Sequence, residues 1–383
     1  MNQDPNIPSF LVIFDCQTFD VGSQGTSTYL AGVINELPRT LFESNLNLNL
    51  KIVCASSSKN SVDKFIEVPY SFQQIRSGFI YRNLIDLPRL ISDLDADLVV
   101  SQYVRPFFSS APTLSVIHDV LFMDYPEYFS WSYRMIRKFF FRWSARNSTY
   151  VSTVSRYSAD RLEFHFGLAK ENILITPNAV DSLFIKKNRD EKHSNKILQL
   201  LTVSRLEKRK RHEWGIDAIA ALRLIGIDAS LVIVGDGDNK YAKKIRNLVK
   251  KAKYEKNLNI FLKSEVNFSD LVQEYFNADV FICCSKAEGF GIPVIEAAAA
   301  GLTCISSNGG ALKELENQFS GILVPSEDRE GFINAVITVA TNITKYRKEA
   351  NQGRIGVAKT YNWNHATNKY IDIFKLVLSN KTK

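Results

Sequence analysis

Along the whole chain, short apolar runs rich in β-branched residues alternate with longer stretches of helical periodicity. The runs Phe10–Asp15, Lys51–Cys54, Asp97–Ser101, Thr113–Ile117, Tyr150–Val154, Leu198–Ser204, Leu231–Gly235, Asn259–Leu262, Val280–Cys284 and Thr303–Ser306 read as strands. Strands separated by helices pair through crossovers that cover the sheet, so the alternation predicts parallel α/β sheets with helices on both faces. In open sheets of this kind, ligands sit beyond the carboxyl ends of the strands. The residues that follow each run are therefore the place to look for chemistry.

One boundary is visible. Between Phe184 and Lys196 the sequence turns polar and charged and loses apolar periodicity, as a linker does. The reading predicts a Rossmann-like domain over 1–183, a linker over 184–197 and a second Rossmann-like domain over 198–360. A C-terminal helix over 361–383 is expected to pack back towards the first domain. Two doubly wound sheets would then face an interdomain cleft. A chain of 383 residues can bury two separate cores.

Composition narrows the class. With 45% hydrophobic and 23% charged residues, the chain is globular rather than disordered. No apolar stretch reaches the roughly 18 residues that span a bilayer. Residues 1–9 lack a basic segment followed by an apolar one, so no secretory leader is expected. The five cysteines (Cys16, Cys54, Cys283, Cys284, Cys304) have no framework or C-x-x-C spacing and lie in or beside apolar runs. They read as small hydrophobes in a reducing, cytoplasmic setting. A net charge of +8 favours an anionic partner: a nucleotide diphosphate, an acidic lipid surface or a nucleic acid.

Four segments after strand-like runs could carry chemistry. In Ser285–Ala300, SKAEGFGIPVIEAAAA, Glu288 falls in a loop and Glu296 about one turn into the next helix, with Pro293 in that helix's first turn. Gly289 and Gly291 allow backbone amides to approach an anionic or hydroxyl-rich ligand at a helix N-terminus. The plain alternative is a Gly-Pro turn with two solvated glutamates. In Val203–Arg211, VSRLEKRKR, Arg205 and Lys210 lie in a turn where paired cations can neutralise a diphosphate; the alternative is a solvated basic loop. No aromatic residues are interleaved there, which weighs against nucleic acid. His118-Asp119 follows the run Thr113–Ile117, and the small residues of Gly22–Tyr29 follow the first run. Neither a G-x-G-x-x-G fingerprint nor a G-x-x-x-x-G-K-[ST] phosphate loop occurs. The other histidines share no metal-ligand spacing, so neither metal nor cofactor is expected.

Taken in order, these segments resemble glycosyltransferase family 4, a family of retaining GT-B enzymes that includes mannosyltransferases. The resemblance runs through the glycine loop, Ile117–Asp119, Thr176–Asp181, Ser204–Lys210, Val234–Asp238, Ser285–Ala297, Ser306–Glu314, Gly321–Pro325 and Trp363. It implies that Arg205 and Lys210 grip the donor diphosphate, and that Glu288 contacts hydroxyls of the donor sugar. Backbone amides over Gly289, Phe290, Gly291 and Ile292 would assist, and Glu296 would hold the ribose. His118 would steady the sugar near the reacting carbon, and Gly25 would lie by the phosphates or the acceptor. The resemblance further implies front-face attack without a metal. The donor would be a nucleotide sugar (GDP-mannose first, then UDP- or dTDP-linked), and the acceptor a glycan or polyprenyl-linked glycan in surface polysaccharide assembly. Three positions depart from the family pattern: Ser204 stands where glycine is usual, Arg211 where glycine or asparagine is common, and Ser27 replaces a frequent second glycine of the N-terminal loop. A GT-B epimerase or a non-catalytic sugar-nucleotide binder would share much of this pattern.

Ser132–Asn147 reads as a helix with Ile136, Phe139, Phe140 and Trp143 on one face and Arg134, Arg137, Lys138 and Arg142 away from it. Such a helix either packs into a core or rests peripherally on an anionic membrane.

Overall fold

The structure is a computed structural model that describes residues 7–22, 24–186 and 197–381. The chain forms two compact units, Met1–Ala179 with Trp363–Lys383, and Val180–Asn362. The first unit holds seven strands: β1 (Ser9–Asp15), β2 (Asn49–Ser56), β3 (Ser71–Gln74), β4 (Leu98–Gln102), β5 (Thr113–Val116), β6 (Tyr150–Thr153) and β7 (Ile173–Ile175). They pair in parallel in the order β3-β2-β1-β4-β5-β6-β7, so the direction of winding switches between β1 and β4. The second unit holds β8 (Leu198–Val203), β9 (Ala229–Val234), β10 (Asn259–Lys263), β11 (Val280–Cys283), β12 (Thr303–Ser307) and β13 (Gly321–Val324). These are also parallel, in the order β10-β9-β8-β11-β12-β13. Most of the expected linker lies outside the described residues.

Apart from Asn259–Leu262, which is the edge strand β10, the apolar runs became inner strands because both faces of a helix-covered sheet are buried. In β9 every residue is buried, and β1 is buried from Val12 through Asp15. Three strands lie outside the expected runs: β3, β7 and β13, all at sheet edges, with β7 (Ile-Leu-Ile) and β13 (Gly-Ile-Leu-Val) apolar but short. Edge strands are short and half solvated, and β3 reads Ser-Phe-Gln-Gln, without an apolar run.

The C-terminal helix Trp363–Lys381 belongs to the first unit and buries Tyr370, Phe374 and Val377 at helical spacing. It packs against helix Gly25–Glu43, where Thr40 and Thr367 share a 2.6 Å hydrogen bond. Tyr29 donates to Thr176 at 2.7 Å and lies 3.1 Å from the Tyr370 hydroxyl. Burying each large side chain here contributes about 1.5–3 kcal/mol. Gly32 is required at the crossing: a Cβ there would lie 2.1 Å from the Trp363 ring.

Helix Trp131–Asn147 turns a different face inward from the one its sequence suggests. Phe141, Ser144 and Ala145 are buried, Phe140 and Trp143 are half-buried, and Ile136 and Phe139 remain exposed. The inward positions include the small Ser144 because its hydroxyl is used at close range, accepting from the Arg105 amide at 3.0 Å and meeting Ser115 at 2.9 Å. Among the described residues no helix is long and apolar enough to cross a membrane.

Candidate active site

The second unit gathers its charged groups at the carboxyl ends of β8 and β11. After β11 the chain turns through Ser285–Phe290 before helix Ile292–Ala299 begins at Gly291, whose φ of +105° is the left-handed conformation that favours glycine. Pro293 sits in the first turn of that helix, where no amide hydrogen is needed. The loop is clamped from the β12 side. Glu288 N donates to Gly309 O at 3.3 Å and Ala311 N donates to Glu288 O at 2.9 Å. A Cβ at Gly309 would lie 1.8 Å from the Lys286 carbonyl, so the paired glycines permit this approach.

Glu288 stands at the centre of this geometry. One carboxylate oxygen accepts from Lys210 Nζ and, at 2.6 Å, from Ser285 Oγ. The other accepts from Arg209 Nη1 at 3.1 Å. The side chains of Glu288, Lys210 and Arg209 are all largely buried. Burial pushes the carboxyl up, but Lys210 and Arg209 outweigh it and hold it down at about 2. Lys210 itself is pushed down by burial and by Arg209, with Glu288 opposing. Arg209 also bonds Glu207 at 3.0 Å and the Ala287 carbonyl at 3.1 Å. Three cations (Arg205, Arg209, Lys210) thus share two carboxylates (Glu207, Glu288), leaving one positive charge in excess.

Arg205 is placed differently from Lys210. Its side chain is 67% exposed and pairs with Glu207 at 2.9 Å rather than with Glu288. The cation that does reach Glu288 beside Lys210 is Arg209, which the sequence left inside an undifferentiated basic run. Nothing in that run says which cation points inward; the short 3₁₀ turn Lys208–Lys210 decides it. Ser285 and the Gly309-Gly310 clamp were likewise assigned no role from sequence, although both lie in recognisable segments.

Glu296 lies in helix Ile292–Ala299 and accepts from Tyr275 OH at 2.7 Å. Burial raises its carboxyl to about 7; the Tyr275 hydrogen bond opposes this and Asp181 adds to it. Phe290 is buried and meets the Tyr361 ring edge-on at 5.7 Å, so only its backbone remains to face a ligand. Ile292 is half-buried at the helix start.

At the departing positions, Arg211 has a φ of +52°, which explains why glycine or asparagine suits that site. Its guanidinium is tied to Ser326 O and to Glu327 at 3.0 Å, and lies 4.7 Å from the Trp214 ring centroid. Ser204 contacts His212 at 2.9 Å through its hydroxyl.

In the first unit, His118 follows β5 and is buried. The Gln102 amide donates to Thr26 O at 3.1 Å, which turns its carbonyl oxygen towards His118 Nε2 at 2.7 Å. Nε2 therefore carries the hydrogen and Nδ1 the lone pair. Burial pushes the imidazole down to about 3, so it is neutral at physiological pH and can accept a hydroxyl hydrogen without charge. Gly25 opens helix Gly25–Glu43, and Ser27 donates into the carbonyls of Thr18 and Gly22 at 2.9 and 2.8 Å. The serine in place of glycine thus braces the loop. Among the described residues no group of three or more His, Cys, Asp or Glu is gathered around a possible metal position.

Residues 25–182 match the family model described as Glycosyltransferase Family 4, and residues 184–355 that described as Glycosyl transferases group 1. A UDP-N-acetylglucosamine–peptide N-acetylglucosaminyltransferase subunit of Streptococcus agalactiae is 31% identical over 144 residues, covering 37% of this chain and 27% of that protein. A GDP-mannose-dependent α-(1-6)-phosphatidylinositol monomannoside mannosyltransferase of Mycobacterium tuberculosis is 24% identical over 307 residues, covering 76% of this chain and 79% of that protein. The chain spans between about a quarter and about a half of the length of the first curated relatives it matches. In structure, a sucrose-phosphate synthase from Thermosynechococcus elongatus superposes with a TM-score of 0.77 over 97% of this chain and 100% of that one. At 18% identity this likeness speaks for the fold alone.

Proposed function

The chain belongs to the GT-B glycosyltransferases, with family 4 and group 1 segments in succession, and on that footing we propose that it transfers a hexose with retention from a nucleotide-diphosphate donor to a glycan or lipid-linked glycan. The observation that carries the reading is the buried carboxylate Glu288, gripped by Lys210 and Arg209 next to a helix N-terminus, in a cluster with one positive charge in excess. A cluster with one cation in excess, its Arg205 open to solvent, attracts a diphosphate, while the ionised carboxylate fixed beside it accepts hydrogen bonds from sugar hydroxyls.

In the proposed step the bond from the anomeric carbon to the phosphate oxygen breaks, and its electron pair leaves with the nucleotide diphosphate. Lys210 and Arg205 stabilise the charge that develops there. An acceptor oxygen attacks the anomeric carbon on the face the phosphate leaves, and the acceptor proton passes to a phosphate oxygen. Glu288 and neutral His118 orient the donor sugar, amides from Gly289 to Ile292 assist, Glu296 holds the ribose, and Gly25 approaches the phosphates or the acceptor. No metal is needed where fixed cations supply the charge. Arg209 acts through Glu288 as a positioning residue.

GDP-mannose is the first donor proposed, supported by the mannosyltransferase relative and its broad coverage. UDP- and dTDP-sugars follow, the peptide transferase relative being UDP-dependent by name. Peripheral attachment to the cytoplasmic face of a membrane is proposed from helix Trp131–Asn147. Trp131, Ile136 and Phe139 are exposed there among Arg134, Arg137, Lys138 and Arg142. Sedimentation with anionic vesicles checks it: the protein should pellet, and Ile136→Ser with Phe139→Ser should stay in solution.

The reaction is tested by nucleotide release across GDP-, UDP- and dTDP-sugars, with wild type beside Arg205→Ala and Glu288→Ala. Release from one donor, lost in both variants, is expected. No release from any donor and no nucleotide binding by calorimetry overturns the proposal; epimerised sugar nucleotide as the product replaces it with epimerisation.

A further inference from the structure

The first unit contains a pocket of about 520 Å³ at the carboxyl ends of β2 and β3, apart from the residues discussed so far. Its lining includes Ser57, Gln74, Arg76, Ser77 and Asp86, with Ile75 apolar. The volume falls in the range of about 300–1,000 Å³ typical of small-molecule sites. Its place at a strand-end rim is where parallel sheets take ligands.

The chemistry of the lining is specific. Arg76 and Asp86 form a fork, with Arg76 Nε 3.0 Å and Nη2 2.5 Å from the two carboxylate oxygens, and the Arg76 amide donates to Asp86 at 2.9 Å. The fork is electrically neutral and holds Asp86 below the usual carboxylate range through the Arg76 hydrogen bond. Gln74 is exposed at the end of β3 with its amide turned to no protein partner among the described residues. Tyr81 stands outside the lining but against its Arg76: it is 55% exposed, and one face of its ring is covered by the Arg76 guanidinium at 4.6 Å. An exposed aromatic ring beside planar donors and acceptors, with no net charge, matches a neutral polyhydroxylated ligand better than an anion or a hydrocarbon.

The base is built to hold this arrangement. Asp86 ends a π-helical turn, Arg82–Asp86, a rare geometry often found at functional sites. Arg82 in that turn is buried and lies 3.6 Å from Asp15 at the end of β1. The loop after β3 is tied from the other side by Gln17, which donates to Ser77 O at 3.3 Å. Ser57 is fixed by Asp20 at 2.7 Å.

We propose that this pocket is a subsite for a neutral sugar unit of the acceptor, with Gln74, Arg76, Ser77 and Asp86 reading its hydroxyls and Tyr81 offering an apolar ring to its carbon face. The inference rests on the transfer reading for the word acceptor, and on the pocket for the sugar. The test is retention of the full chain on an array of immobilised neutral and acidic oligosaccharides, comparing wild type with Tyr81→Ala and Gln74→Ala. Phe164→Ala, an exposed aromatic on another element, serves as control. Wild type and control should retain at least one neutral glycan. Retention should fall at least tenfold in both pocket variants, with melting temperatures unchanged because both side chains are exposed. No neutral glycan retained by wild type, or equal retention by the pocket variants, overturns the subsite. Donor turnover by wild type is measured separately. Turnover with unchanged glycan retention in the variants removes the subsite and leaves the transferase. Retention lost in the variants without any turnover leaves the sugar site and removes the transferase.

Discussion

Replacing Glu288 by glutamine is the sharpest perturbation of the proposed centre, because the amide keeps the shape and removes the charge that Lys210 and Arg209 share. The folded carboxyl sits at about 2, against an ordinary glutamate value of about 4.3. A depression of that size corresponds to about 3 kcal/mol of stability. Removing one partner of a buried ion pair independently suggests about 3–5 kcal/mol, since two buried cations lose their counterion. For a unit of this size, each kcal/mol moves the melting temperature by about 2–4 °C, so Glu288→Gln should melt about 6–20 °C lower at pH 7. The sign with pH follows from the depressed value. The stabilisation is complete above the unfolded pKa and is lost as pH falls through the folded one. The gap between wild type and variant should therefore narrow steadily below about pH 4. Calorimetric melts from pH 7 to pH 3 read both effects. A melting difference under about 2 °C at pH 7, or one that widens in acid, would refute the reasoning and make Glu288 a solvated loop residue.

Arg205→Ala should separate chemistry from stability: its exposed pair with Glu207 contributes at most about 1 kcal/mol, yet nucleotide release should fall by about 10²–10³, read by coupled assay and thermal melt together. Arg209→Ala should behave in the opposite sense, losing several degrees in a thermal melt because Glu288 keeps one cation fewer. For Glu296, with its carboxyl near 7, nucleotide binding by calorimetry should strengthen from pH 6 to pH 8 as the carboxylate forms, and Glu296→Gln should flatten that profile. Gly32→Ala should destabilise the first unit by about 1–3 kcal/mol by overpacking against Trp363, read by denaturant titration.

The two parallel sheets were legible because their inner strands must be apolar on both faces, and such runs announce themselves without alternation. Strand β3 was not, since Ser-Phe-Gln-Gln at a sheet edge has no apolar run, and the edge strands β7 and β13 are apolar but only three and four residues long. Helix Trp131–Asn147 shows the same limit at side-chain level. Periodicity put Ile136 and Phe139 on a plausible inner face, but the packing of Phe141 and the hydroxyl contacts of Ser144 selected another. A serine reads as polar in sequence and is buried in the fold, because its partners, the Arg105 amide and Ser115, come from elsewhere in the chain.

The candidate centre divides along the same line. Glu288, Glu296 and the glycines between them lie within nine residues, and local backbone geometry at Gly291 and Pro293 suffices to present them. The cation set lies some eighty residues earlier and meets Glu288 only through tertiary structure, so sequence singled out Arg205 and Lys210 and passed over Arg209, which reaches Glu288. The fold ranks them by burial. Arg209 and Lys210 are enclosed against Glu288, while Arg205 stays in solvent beside Glu207. This ranking has a consequence for the proposed chemistry. A buried cation bonded to two carboxylates, as Arg209 is to Glu207 and Glu288, is suited to holding a carboxylate in place and poorly suited to following a leaving group. An exposed arginine on a loop can close onto a diphosphate at small cost, because the pair it gives up with Glu207 is a weak one. Burial and catalytic mobility thus pull in opposite directions within six residues, and that is why two neighbouring arginines of one basic run should respond so differently to the same substitution.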